Sequence, residues 1–247
     1  MKTAFLTDLH ANREAVEAVL ADARRRGFDR IALLGDFVGY GPDPGWVVDL
    51  ARELVAEGAV AVLGNHDAAV VEGPRPTMRA DVMEVVAWTR AQLDPAQLAF
   101  LAGLPLTQTR GDVLHTHANA WEPGGWAYVE GREEAARSLR ATACRLTFCG
   151  HIHQPRLYHL SGTGKVADFV PTAGVAVPLL ANRRWLVIPG AVGQPRDGNP
   201  AACYAIHDDA QSTVTFLRVP YDHDATRARM RAFGLPDAFA DRLARGQ

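Results

Sequence analysis

Cysteine is scarce in this chain. Its three cysteines, Cys144, Cys149 and Cys203, are odd in number and form no CxxC pair, which speaks against a disulfide framework and for small buried residues in a reducing compartment. Long apolar runs are missing as well: no window approaches the roughly 18 uncharged apolar residues that a membrane span requires. The opening Met1-Lys2-Thr3-Ala4-Phe5-Leu6-Thr7-Asp8 reaches a carboxylate too early to hold the apolar stretch of a secretory signal. A cytoplasmic protein with no membrane partner is therefore expected. Nor does one sign of charge dominate. With 26 Lys and Arg against 28 Asp and Glu the net charge is −2, and no basic stripe interleaved with aromatics stands out, so polymeric nucleic acid is not an expected partner. No internal repeat or low-complexity tract stands out either.

What the chain does have is an ordinary globular composition over 247 residues, long enough to bury a sizeable core, and an uneven distribution of histidine. Five of its nine histidines fall in three short clusters: His10, His115/His117 and His151/His153. Residues 3–7 read as a buried strand. Over 12–26, Ala15, Val16, Val19, Leu20 and Ala23 recur at helical spacing, with Asn12 as N-cap and Gly27 just past the end. Buried strands are expected at 31–34 and 59–63, with a helix at 46–57 between them. This alternation marks a parallel sheet covered by helices. Further helices are expected near 79–93, 95–102 and 132–140, and strands at 113–117 and 146–149. Past residue 155, the segments 156–160, 175–180, 184–188, 202–207 and 212–219 are strand-like with little helix between them. They predict a second, largely antiparallel sheet packed on the first, closed by short helices near 223–232 and 236–245. Because the histidine clusters are spread over most of the chain, one domain spanning 1–247 explains them better than two.

Ligands of open α/β sheets sit at the carboxyl ends of strands. Five strand ends here carry possible metal ligands: Asp8-Leu9-His10, Gly35-Asp36, Gly64-Asn65-His66-Asp67, His115-Thr116-His117 and Gly150-His151-Ile152-His153. Carboxylate and amide oxygens mixed with imidazole nitrogens suit divalent transition metals, namely Mn, Fe, Zn or Ni. Glycines before Asp36, Asn65 and His151 let the backbone turn sharply off each strand. Singly, most of these motifs read as a solvated loop, a common dipeptide or a turn, Gly-His-Ile-His less readily than the others. All five in this order, each at a strand end, do not.

The ordered set Asp-x-His, Gly-Asp, Gly-Asn-His-Asp, His and Gly-His-x-His resembles that of the calcineurin-like metallophosphoesterases, and it spans residues 8–153. The later run Ile188-Pro189-Gly190-Ala191-Val192-Gly193-Gln194-Pro195-Arg196-Asp197 is similar to a segment of the bacterial branch of predicted phosphodiesterases and relatives of diadenosine tetraphosphate hydrolases. The resemblance implies an α/β fold, a four-layer αββα sandwich of two mixed β-sheets flanked by helices. It also implies two divalent metal ions. Asp8, His10 and His153 would hold the first, Asn65, His151 and one strand-end histidine the second, and Asp36 would bridge them. The strand-end ligand is either His115 or His117, which point to the same face of a strand. His117 is favoured because His117-Ala118-Asn119, ahead of Trp121, Trp126 and Tyr128, looks like the family's His-(Gly/Ala)-Ser segment. By the same resemblance a metal-bridging hydroxide would attack phosphorus and His66 would give a proton to the leaving oxygen. Asp67 is a candidate to orient His66, and Arg196, with its planar fork, a candidate to contact a substrate phosphate.

Departures from the family pattern narrow the substrate. Ala11 and Asn119 stand where many relatives carry Gly and Ser, and neither replaces a ligand. Gly39-Tyr40 stands where the Ser/Thr protein phosphatases have Asp-Arg, which argues against a phosphoprotein. The expected reaction is hydrolysis of a phosphodiester or phosphoanhydride in a small phosphorylated molecule, either a dinucleoside polyphosphate or a simple diester. The alternatives are a phosphomonoesterase and a non-catalytic scaffold of the same fold. Eroded ligands would mark the scaffold, and none is eroded. Trp121, Trp126 and Tyr128 either stack on a nucleobase or pack a lid against the core.

Overall fold

In the computed structural model, residues 1–76 and 78–247 are described. The first half alternates strand and helix: β1 (Lys2–Leu6), α1 (Arg13–Arg26), β2 (Arg30–Leu33), α2 (Pro44–Ala56), β3 (Val60–Ala61), then α3 (Asn65–Glu72), α4 (Ala80–Gln92) and α5 (Pro95–Ala102). Next come β4 (Thr107–Arg110), β5 (Val113–Thr116), α6 (Arg132–Arg140) and β6 (Leu146–Phe148). The chain continues through β7 (Arg156–Ser161), β8 (Val166–Phe169), β9 (Ala176–Pro178), β10 (Arg183–Ile188), β11 (Ala202–Asp208) and β12 (Thr213–Val219), and closes with α7 (His223–Ala232) and α8 (Asp237–Arg245).

Helix boundaries follow local chemistry. Asn12 caps α1 by accepting the Ala15 N–H on its side-chain oxygen, and its amide nitrogen donates to the Gly193 carbonyl at 2.8 Å. That one side chain thus fixes both the start of the helix and a distant loop. Asp94 and Gln97 form a reciprocal capping box at α5, with Pro95 at the first helical position.

Two mixed six-stranded sheets result, with strand orders β3-β2-β1-β11-β12-β9 and β4-β5-β6-β10-β7-β8. The expected division into an early parallel sheet and a late antiparallel one is therefore wrong in detail. β1 pairs parallel with β2 on one side and antiparallel with β11 on the other, which brings β12 and β9 into the first sheet. β5 and β6 instead join the second sheet, where β6 lies parallel to β10. Two polar or short edge strands, β4 and β8, and the short helix α3 were not anticipated.

Period-two alternation assigns the layers. On β1, Ala4 and Leu6 face α1 and α2 in one core, whereas Phe5 turns inward to a second core with Leu34, Val62, Phe148, Val187 and Phe216. This second core lies between the sheets. A third, with Ala135 and Leu139 of α6 against Tyr158, Leu186 and Ile188, covers the outer face of the second sheet. The layers run helix, sheet, sheet, helix. Each fully buried Leu or Phe side chain contributes about 1.5–3 kcal/mol, against roughly 0–1 kcal/mol for an exposed ion pair. Packing of the two sheets, not surface charge, therefore holds their strand ends side by side. A fourth cluster joins Tyr40 and Val85 to Met230, Phe239 and Leu243, placing α7 and α8 beside the loop after β2.

Candidate metal centre

At the carboxyl ends of β1, β2, β3, β5 and β6 the chain leaves the sheets within a few residues of Asp8, Asp36, Asn65, His117 and His151. The backbone there is strained. Asp8, His10, Ala11, Asp36, Tyr40, His151 and His153 all have positive φ without being glycine, and Ser212 and Trp126 are the other such residues among those described. Each such conformation costs about 1–3 kcal/mol, and it persists where surrounding contacts over-determine it. Two of the three glycines expected to supply sharp turns work differently. Gly35 does have φ +86°, but Gly64 and Gly150 do not need positive φ. A Cβ on Gly64 would collide with the Asp36 backbone and carboxylate, and one on Gly150 with Thr7 and Asp8. Close approach is what these two positions require.

The side chains converge into two buried groups. In one, ligand atoms of Asp8, His10, Asp36 and His153 lie within 4.8 Å of one another; in the other, those of Asp36, His117 and His151 do. His10 Nε2 is 3.1 Å from His153 Nε2, and His153 Nε2 is 3.3 Å from Asp8 Oδ1. His117 Nε2 is 3.0 Å from Asn65 Oδ1 and 3.2 Å from His151 Nδ1. Asp36 belongs to both groups, with Oδ2 3.7 Å from His10 Nε2 and 3.3 Å from His117 Nε2. His115 does not join them. Its ring stacks on Phe5 between the sheets, and its Nδ1 bonds to the Gln108 carbonyl. β5 ends at Thr116, so His117 leaves the strand while His115 remains on its inner face.

The donors fit divalent cations. The outward nitrogen of each imidazole is hydrogen-bonded to a backbone carbonyl: His10 Nδ1 to Val38, His117 Nδ1 to Leu34, His153 Nδ1 to Gln194, and His151 Nε2 to Trp126. An N–H donated outward leaves the opposite nitrogen's lone pair facing the cluster, as a metal ligand needs. Asp36 Oδ2 is buried with no hydrogen-bond partner among the described residues. Such an atom costs free energy unless a cation or donor meets it.

Electrostatics agree for three of the four rings, and the fourth, His117, must release a proton before it can ligate a cation. Burial holds His10 and His153 well below the usual imidazole range and takes His151 down to about 3, so these rings are neutral. Burial also pushes Asp8 up to about 7, against the lowering effect of His117. For His117, burial works downward, but the Asp36 carboxylate outweighs it and lifts the ring to about 9. Asp36 is held well below the carboxylate range, because its histidine neighbours overcome its burial. Buried carboxyls crowded by imidazoles favour a positive charge in their midst.

Around the cluster lies a cleft of about 560 Å³ that Tyr40, Asn65, His66, Tyr128, Arg196 and Arg242 help to line. His66 follows Asn65 into α3. Its ring packs edge-on to His10 and against Tyr40, and its buried Nδ1 has no hydrogen-bond partner among the described residues. Gly39 makes room for it, since a Cβ there would strike Nδ1 at 2.5 Å. Asp67 does not orient His66. Its carboxylate accepts the backbone N–H groups of Asp36, Val38 and Gly64, clamping the β2 and β3 loops together. Arg196 bonds to Gln194 Oε1 at 3.0 Å and approaches the Tyr40 hydroxyl at 3.4 Å. Of the three aromatics, Tyr128 stacks on His151 with centroids 4.1 Å apart, and Trp126 meets the His117 ring edge-on. Trp121 instead packs under Arg137 against the α6 core. The carbonyls of Val38, Leu34, Gln194 and Trp126 escape any reading of residue types, because every residue carries one.

A calcineurin-like phosphoesterase superfamily domain matches residues 1–212. The chain belongs to the calcineurin-like phosphoesterase superfamily. A metallophosphoesterase from Sphaerobacter thermophilus shares its structure over all of this chain and 99% of that one, with TM-score 0.88 and 37% identity. An uncharacterized protein of Methanocaldococcus jannaschii is 32% identical over 250 residues, covering 99% of this chain and 98% of its own. A hypothetical protein from Pyrococcus horikoshii has the same fold, with TM-score 0.78 at 16% identity over 100% of this chain and 98% of that one. Two adjacent His/Asp groups sharing Asp36 in a member of this superfamily are consistent with a dinuclear metal hydrolase. Among the described residues, no helix is long and apolar enough to cross a membrane.

Proposed function

We propose that this phosphoesterase hydrolyses a phosphodiester or phosphoanhydride in a small molecule, as in the branch of phosphodiesterases and dinucleoside polyphosphate hydrolases. Asp8, His10 and His153 would hold one divalent cation, Asn65, His117 and His151 the other, and Asp36 both. Such a cation pair lowers the pKa of water and offsets negative charge on the attacking and leaving oxygens of an in-line displacement.

The protein's own groups have separate tasks in this reading. His66 stands on the cleft wall with no partner on Nδ1 among the described residues, where it would place a proton on the leaving oxygen. Gly39 lets the ring sit there, and Tyr40 packs on it. Arg196 carries a buried Nε with no hydrogen-bond partner among the described residues and borders the same cleft, so its guanidinium would hold a non-reacting phosphate oxygen. Tyr128, stacked on His151, offers a flat face at the mouth.

The observation that carries the preference for a bridged phosphate is the cleft itself. Its 560 Å³ leaves room for groups on both sides of phosphorus, and pockets of about 300–1,000 Å³ accommodate whole small molecules. The test compares kcat/KM for diadenosine tetraphosphate, a bis-nitrophenyl diester and nitrophenyl phosphate with one metal loading. Faster turnover of either bridged substrate is expected, and a clear preference for the monoester would discard the reading.

A further inference from the structure

A cavity opens between the two sheets at the end of the sandwich opposite the metal centre, where β1 and β2 begin. Registered pairing places Arg30, Thr3 and His207 side by side across the first sheet, on the same face as Phe5, which points into the inter-sheet core. Across the gap, Arg110 pairs with Val113 and Val113 with Leu146. A sandwich interior normally alternates apolar residues inward along such rows. Here one row carries an arginine and a histidine instead, around a cavity of about 250 Å³.

The cavity has a distinct chemical layout. Its inner wall is apolar and aromatic, with Phe5, Val60 and Leu146 buried. Phe5 stacks on both His115 and Phe148, which are paired neighbours in the second sheet. His207 is 4% exposed, and its Nε2 is buried with no hydrogen-bond partner among the described residues. The mouth is charged: Arg30, Arg110 and Arg145 against Asp112 and Asp209. Arg145 is engaged with Asp112, at 2.7 Å through its backbone N–H and 3.6 Å through its side chain. Arg30 and Arg110 take part in no ion pair among the described residues. An unpaired imidazole nitrogen inside and two uncommitted guanidinium groups at the rim are poor design for an empty core. They are good design for an organic anion.

We propose that this cavity is a second binding site, separate from the metal centre, for a small organic monoanion with an apolar or aromatic body. The ring or chain would lie against Phe5, Val60 and Leu146, an acceptor would meet His207, and the anionic group would sit between Arg30 and Arg110. Size agrees: apolar cavities of about 150 Å³ already take up benzene, so this one holds a ring with a short acidic arm. Guanidinium groups match a carboxylate through paired N–H donors.

Isothermal titration of the metal-loaded protein with phenylacetate, and separately with uncharged 2-phenylethanol, tests this. Phenylacetate should bind saturably at one site per chain, should not be displaced by inorganic phosphate, and should exceed the alcohol in affinity by about tenfold, as two ion pairs to exposed arginines suggest. The double substitution Arg30→Gln with Arg110→Gln, at exposed positions, should abolish that preference. Val60→Trp should fill the cavity and remove binding of both compounds. No saturable heat, displacement by phosphate, or an anion preference that survives in the double variant would each overturn the proposal.

Discussion

The Oδ2 atom of Asp36, which has no hydrogen-bond partner among the described residues, lies 3.3 Å from Nε2 of His117. The same oxygen is 3.7 Å from His10 Nε2 in the other group, so a single carboxylate serves both halves of the cluster. Asp36→Asn keeps the shape and removes the charge. It is expected to deplete both metals and lower activity by about a hundredfold or more, since metal-site charge stabilisation supplies several kcal/mol. Elemental analysis beside a rate measurement checks this, and loss of only one metal would show that Asp36 serves one ion.

His115→Ala and His117→Ala should behave differently. His117→Ala should lose the ion held with Asn65 and His151. His115→Ala should keep both ions and lose stability by roughly 1–3 kcal/mol, because it removes a buried, hydrogen-bonded ring stacked on Phe5. Metal content and denaturant unfolding of the two variants decide the matter, and the reverse pattern would shift the site by two residues.

That pair also shows where sequence is legible. Asp-x-His, Gly-Asn-His-Asp and Gly-His-x-His are local patterns, so their strand-end positions could be read directly. His115 and His117 share a strand face by alternation, and the choice between them depends on where β5 stops, which no spacing reveals. Sheet membership was hidden for a related reason. β11 and β12 bury apolar side chains equally well in either sheet, and the pairing of β1 with β11 joins residues some two hundred positions apart. α3 is not legible in the sequence because it begins inside the ligand motif, where Asn65 and Asp67 are residue types that favour turns. β4, with the sequence Thr-Gln-Thr-Arg, carries no hydrophobic pattern at all.

His66→Ala should leave metal content intact and reduce kcat by about 10²–10⁴, the span of a general acid. With a nitrophenolate leaving group, which scarcely needs a proton, the defect should shrink. Rates for good and poor leaving groups measured side by side test the role, and equal losses would assign His66 to structure alone.

Metal-free protein should lose stability as pH rises from 6.5 to 9. Asp8 and Asp67, each raised by burial to about 7, and His117, lifted to about 9 by Asp36 against its burial, all hold protons more tightly folded than unfolded. The unfolded chain therefore binds fewer protons in this window, and the free energy of unfolding falls with pH. The neutral histidines oppose this only below about 6.5, their unfolded pKa. Bound cations favour the deprotonated carboxylates, so the stabilisation by metal should be larger at pH 8.5 than at pH 6.5. Thermal unfolding with chelator and with manganese at both values measures it, and a metal effect that shrinks with pH would contradict the assignment.

The most direct test of the whole account is metal stoichiometry joined to activity. Protein purified without chelator would be analysed for metals and assayed on a nitrophenyl phosphate ester before chelation, after it, and after return of manganese. Two ions per chain, loss of hydrolysis on chelation and recovery on re-addition are the expected result. One ion per chain, or full hydrolysis by the metal-free protein, would contradict a dinuclear centre built on Asp36.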